Sequence, residues 1–493
     1  MPLPFKVSKS FLIIAVFFIA IVTPSTLFPF IVGKYVWFRA AVDVALLVFA
    51  LGFLFHPHQS AVISIHQRLV SLYKNPLVIA VSAFVVIFLL AGFFGVDPAM
   101  SFWSNFERGE GGIQILHLYV FFMLLAVLFR EEHDWQKLFA CSLVAGLFMT
   151  FYGLGAGLRY TDAELATRHL PQGGVEETFT GKGGPWYQTF KSYIGPSFKS
   201  DGYRFQGSIG NAAYVAAYAI FMLFYAAYLL ATKYRARLHS FGAFVLFFLL
   251  AVFLAVFWFA ATRGAFLGLV GAVLAFLGYF IYAHKKWRRW LLAGSAVVVI
   301  MVGLLVSFKD APFVKAIPGS RIFDLSFTAE TFQHRTIMWG IALEGWKERP
   351  LLGWGPENYI QVFDRRFDPA YFEPTKGFGA WFDRAHSIYF DYLVETGALG
   401  IVSFLAIFVV LYRYLFRSLK RENGDAPTQE GHRGKETPPA FRALPSALAF
   451  ALPVAYLIQG IVLFDVLPIY VNVFLFLAFM VYRMVERPLA PKA

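Results

Sequence analysis

The chain has 493 residues, of which 58% are hydrophobic, 19% aromatic and only 15% charged, with a positive mean hydropathy. A soluble fold with that balance could not cover its surface with polar atoms. The net charge of +13 invites a nucleic-acid partner, but the positions of the charges fit membrane topology better, and no nucleic acid is expected.

Apolar runs of about 20 residues recur along the sequence, each able to cross a hydrocarbon core roughly 30 Å thick. Backbone polar groups in that core must be satisfied internally, which makes the spans helices. The sequence therefore predicts an all-α polytopic membrane protein. Its twelve or so spans fall at roughly 10–31, 36–55, 77–95, 112–130, 135–157, 208–231, 241–261, 264–283, 290–307, 387–416, 444–463 and 467–484. The first run lacks an A-x-A-like site and is followed almost at once by another span, so it reads as a span rather than a cleavable signal.

With the N-terminus inside, Lys6, Lys9, Arg68, Lys74 and the basic run "HKKWRR" (284–289) face the cytoplasm, as do Arg417, Lys420, Arg483 and Arg487. Short outside connections hold little beyond Lys34, Arg108 and Arg263. That asymmetry predicts cytoplasmic termini. The whole chain, 1–493, reads as one membrane domain with two long outside loops, 158–205 and 309–385. Within the second, "HRTIMWGIALEGWKERP" predicts an amphipathic helix over about 331–348 that ends before Pro350. The segment 417–443 is polar and Pro/Gly-rich, and is expected to be a disordered cytoplasmic linker.

Arg263, in "FWFAATRGAFLGLVGAVLAF", is flanked by apolar residues on both sides. A charge at membrane depth costs a few kcal/mol or more, so it faces a cavity or partner, or else snorkels to the surface. His386 stands where the tenth span begins. It reads as a polar helix cap or as a general base, since imidazole titrates near neutral pH. No paired His/Asp spacing surrounds it, and no metal is expected. Arg108 in "NFERGEGG", Arg204 in "DGYRFQGSIGN" and Arg335 in "QHRTIMW" are solvated loop charges if taken singly. If they converge with Arg263 they make a cationic pocket, because guanidinium forks match phosphate oxygens. Trp339, Trp346, Trp354 and Trp381 suit either sugar rings or an interfacial belt. The single cysteine, Cys141, excludes an intramolecular disulfide and reads as a small buried apolar residue. In the second span, Arg39 and Asp43 are four residues apart and are expected to pair.

These pieces together resemble the O-antigen ligase / O-antigen polymerase superfamily (Wzy_C-like). "ERPLLGWGPENY", followed about thirty residues later by "AHSIYFDYLVETGALG", is similar to its glycine-bearing loop and its histidine-opened helix with E-x-G-x-x-G. "TRGAFLGL" resembles its arginine-bearing helix junction, and "RFQGSIGNAAYVAAY" its arginine–glycine–asparagine segment. The resemblance implies a GT-C-like bacterial inner-membrane glycosyltransferase with large periplasmic loops between helices 5–6 and 9–10. It implies transfer of a glycan from a polyprenyl (undecaprenyl) diphosphate carrier, without metal or cofactor, to lipid A–core, another glycan or a protein hydroxyl. By position, His386 matches the family's general base, and Arg263 and Arg335 match the arginines that hold the diphosphate. Ser387 departs from the asparagine that follows the histidine in many members.

An O-antigen ligase is the leading expectation, with a polymerase or protein O-oligosaccharyltransferase of the same superfamily as alternatives. From another class, a transporter or flippase of lipid-linked glycans would use the arginines as a translocation path. The few charges inside the spans and the lack of an evident repeat weigh against it.

Overall fold

A computed structural model describes residues 2–23, 25–26, 28–56, 60–105, 108–157, 204–317, 319–326, 330–367, 382–424 and 439–486. Nearly all of the 158–205 loop, the middle of the 417–443 segment, Trp381 and Arg487 lie outside the described residues. Among those described, every regular element is helical, and the protein is an all-α polytopic membrane protein.

The first half runs α1 (Leu3–Ala15, continued by a 3-10 turn at Val16–Ala20), α2 (Val32–Phe55), α3 (Ser60–Leu72), α4 (Pro76–Phe93), α5 (Pro98–Trp103), α6 (Gly112–Leu128) and α7 (Glu132–Gly157). From residue 204 onward come α8 (Ala212–Thr232), α9 (Phe241–Phe259), α10 (Arg263–Ala283), α11 (Arg288–Ser307), α12 (Pro312–Lys315), α13 (Glu330–Glu348) and α14 (Tyr359–Arg365). The chain closes with α15 (Ile388–Gly424), α16 (Pro439–Gln459) and α17 (Leu467–Glu486).

Among the described residues ten helical stretches are long and apolar enough to cross a membrane, and two shorter apolar helices, Gly112–Leu128 and Ala443–Gln459, stand where the other two of the expected twelve were placed. Most agree with the expected bounds within a few residues. The first does not: helix occupies Leu3–Ala20 rather than 10–31. The backbone leaves the helical region at Ile21, and Thr23 N–H then donates to the carbonyl of Pro29 in a closed loop. Asn75, Asn211 and Ser240 cap α4, α8 and α9 by accepting from first-turn amides, which places those starts.

α8 and α17 form the centre, with most of their length buried, whereas α11 has no buried residue. α8 is rich in alanine (AAYVAAYAIFMLFYAAYLLAT), which lets neighbours approach closely in a lipid setting where packing drives association. α10 lies against α16 for the same reason. A Cβ on Gly268 would meet the Ala455 carbonyl oxygen at 2.7 Å.

The charges expected to pair within α2 do not bond each other. Arg39 donates to Gln114 Oε1 (2.8 Å) and to the Gly109 carbonyl, and Asp43 accepts from His117 Nε2 at 3.0 Å. Packing of α2 on α6 gives each a partner on the neighbouring helix.

Candidate active site

The segment Arg384–Ser387 turns a corner before α15. Ala385 N–H donates to Asp391 Oδ1 (2.7 Å), and Ile388 N–H reaches the carbonyls of Gly460 and Leu463 at 3.0 and 3.1 Å, tying the corner to the α16–α17 connection. Between those anchors His386 takes φ +57°. A left-handed conformation costs a non-glycine residue roughly 1–2 kcal/mol, and such strain gathers at functional sites.

The His386 ring is clamped edge-on between Phe382 and Phe464, with centroids 5.1 and 5.0 Å away. Its Nδ1 lies 3.1 Å from the Arg384 carbonyl oxygen. In the tautomer that donates there, Nε2 keeps its lone pair for a proton. Burial brings its pKa down to about 4. The Arg384 carbonyl and Asp383 oppose that fall, while Arg335 and Arg108 deepen it. The imidazole is neutral at ordinary pH.

Arg335, on α13, lies within electrostatic reach of both His386 and Arg263. Arg263 opens α10. Its Nη2 binds Asp324, which also accepts from Lys309 Nζ at 2.5 Å, and its Nε donates to the Arg321 carbonyl at 3.3 Å. Arg204 braces the turn before α10, donating to the Ala260 carbonyl (3.0 Å) and Thr262 Oγ1 (2.7 Å). Burial lowers the Arg204 pKa to about 10, and repulsion from Arg321, Arg263 and Arg335 adds to the fall. Burial likewise lowers Arg335, with Arg263 adding. Four of these arginines therefore share one strongly positive field.

Arg108 has a different employment. Its Nε and Nη2 donate to Asp383 Oδ2 (2.6 Å) and Oδ1 (2.9 Å), and its guanidinium lies over Phe464 at 4.8 Å. The fork that was expected to grip a phosphate grips Asp383, although Arg108 still borders a cavity of about 290 Å³ beside His386.

Beneath the corner sits a charge cluster that sequence reasoning missed. Arg384 is buried and pairs with Glu357 and, at 3.2 Å, with Glu395. Glu110 lies 3.8 Å from the same guanidinium. The two glutamates arrive because the loop 350–355 docks on a break in α15. Trp354 and Gly355 N–H donate to the carbonyls of Val394 and Glu395 (2.9 and 2.8 Å), and Ala398 N–H donates to that of Pro350 (2.8 Å). α15 can receive the loop because Gly397 takes φ +67°. Glu357 and Glu395 lie inside the two quoted motifs and Arg384 immediately precedes the second, but nothing in the local sequence pairs them. Arg321 lies outside both motifs.

The tryptophans divide. Trp354 is buried and donates to the Gly345 carbonyl (2.8 Å), which makes it core rather than a sugar platform. Trp339 stacks on Phe390, and Trp346 donates to the Pro350 carbonyl (3.0 Å). Cys141 is half-buried in α7.

The fold is thus a polytopic helical bundle with a polar site at one end. Residues 248–405 match the family model described as Wzy_C, O-antigen ligase. That stretch is therefore similar to the O-antigen ligase family, in line with the motifs. The matched stretch contains Arg263, Arg321, Arg335, Arg384 and His386, whereas Arg108 and Arg204 precede it. Comparison with curated proteins gives no match.

Proposed function

We propose that the protein transfers a glycan from a polyprenyl (undecaprenyl) diphosphate carrier to an acceptor hydroxyl, acting as an O-antigen ligase at the periplasmic face of the bacterial inner membrane. The observation that carries this reading is the position of a neutral, ring-clamped His386 beside an arginine group that extends from Arg335 through Arg263 to Arg204.

In the reaction the acceptor O–H gives its proton to His386 Nε2, and the acceptor oxygen attacks the anomeric carbon of the donor. A new glycosidic C–O bond forms as the C–O bond to the diphosphate breaks, and the electron pair leaves on the polyprenyl diphosphate. Charge that grows on that leaving group meets the field of Arg335, Arg263 and Arg204, fixed cations that need no reorganisation as the charge develops. These cations do the work a metal would do on a diphosphate, so transfer proceeds in EDTA. Arg108 acts one step back, by holding Asp383 next to the histidine corner.

On this reading the His386 end of the bundle is periplasmic and both termini are cytoplasmic, which puts the acceptor on the outer side. Purified protein in liposomes, given carrier-linked glycan in EDTA with lipid A–core, a second carrier-linked glycan or a protein acceptor, tests the proposal. Transfer to lipid A–core is expected. Transfer to another acceptor would replace ligase by polymerase or protein O-oligosaccharyltransferase, and passage of donor across the bilayer without transfer would replace the enzyme by a flippase.

A further inference from the structure

The cavity of about 290 Å³ beside His386 is lined by Lys34, Arg108, Glu110, Asn211 and Tyr214 among others. Ligand pockets start near 300 Å³, so this one has room for about one sugar ring. Arg204, Arg263, Arg321 and Arg335 are not in its wall. His386 thus faces the cavity while also lying in the field of Arg335.

Glu110 is a buried wall residue that has a job for only one of its oxygens. Oε1 accepts from the Leu467 N–H at 2.8 Å. Oε2 is buried without a hydrogen-bond partner among the described residues. The nearest cation, Arg384 Nη2, is 3.8 Å away and already donates to Glu357. Leaving a buried polar atom unmatched is costly, and a ligand hydroxyl would remove that cost. Burial raises the Glu110 pKa to about 8, against the pull of Arg384 and Arg108. At neutral pH the carboxyl is mostly protonated, so it can both donate to and accept from a hydroxyl.

We infer that this cavity is the acceptor subsite, that it takes a single sugar ring, and that Glu110 Oε2 hydrogen-bonds a ring hydroxyl adjacent to the one His386 deprotonates. The inference rests on the glycan-transfer reading and adds the acceptor's place and chemistry to it.

The test uses the full-length protein in liposomes with carrier-linked glycan and whichever acceptor the wild type uses. Glu110→Gln retains an oxygen for the Leu467 amide and replaces the unpartnered oxygen with an amide that only donates. Val466→Phe reduces the cavity from its wall while keeping Glu110 and the arginines in the sequence. Each variant should raise the KM for the acceptor about fivefold to tenfold and leave the KM for the donor unchanged. Should Glu110→Gln fail to fold, the Val466→Phe split decides. An unchanged acceptor KM overturns the subsite, with transfer itself intact. A raised donor KM overturns it by giving the cavity to the donor's sugar. A wild type that transfers only to a protein hydroxyl overturns the sugar-ring occupant. No transfer by the wild type to any acceptor removes the function proposed above, and this inference with it.

Discussion

At the scale of single residues, His386 and Arg384 divide the labour of one corner. His386→Ala should lower transfer by about 10²–10⁴-fold, the usual worth of a general base, while binding of carrier-linked donor persists in a filtration assay. Its low pKa has a second consequence. On the proposed base role the free protein must hold a neutral imidazole, so the acid limb of kcat/KM should lie near pH 4 rather than near 6.5. Bound diphosphate offsets the field of Arg335, and the limb of kcat should therefore sit higher than that of kcat/KM. Stability follows the same linkage. A folded pKa of about 4 below an unfolded value of 6.5 means the unfolded chain binds the proton first. Folded protein should lose stability as pH falls from about 6.5 toward 4, and His386→Gln should lose less, as read by thermal unfolding in detergent. Arg384 supports rather than reacts. Arg384→Met strands Glu357 and Glu395 in the interior, where breaking a buried ion pair costs roughly 3–5 kcal/mol; thermal unfolding should show that loss. Arg263 and His386 could be singled out in the sequence because polar groups in apolar surroundings need a reason. Glu110 and Glu395 were not, since a glutamate beside glycines looks like a solvated loop charge until the chain brings Arg384 to it.

At the scale of elements, the break in α15 is what joins the motif loop to the site helix. A Cβ on Gly397 would meet the Leu351 carbonyl carbon at 2.3 Å, and one on Gly353 would meet the Glu395 carbonyl carbon at 2.5 Å. Both glycines also take positive φ, +67° and +70°, a conformation that costs other residues 1–2 kcal/mol before any clash. Gly397→Ala should lower the unfolding temperature and abolish transfer together, whereas Gly278→Ala, at a glycine with nothing within 4 Å of the added carbon, should change neither. Apolar length made the spans readable. Short helices such as α3 and α5, and the early start of α1, were not readable, because tertiary contacts and capping set them rather than hydropathy.

At the scale of the whole molecule, a central pair of buried helices and a bare α11 describe a bundle whose rim faces lipid. Repeated apolar runs were enough to read a polytopic helical bundle from the sequence, but not which helices take its centre. The convergence of residues from α13, the α9–α10 turn and the α15 corner into one site depends on long-range contacts that no run of residues encodes.

The central claim is that His386 and the arginine group carry out metal-independent glycan transfer. Its most direct test is transfer in liposomes containing EDTA, comparing wild type with His386→Ala and Arg335→Ala. The account predicts transfer by the wild type, loss of at least about a hundredfold in His386→Ala with donor binding retained, and weakened donor binding in Arg335→Ala. Full activity in His386→Ala, or wild-type transfer that EDTA abolishes, would contradict it.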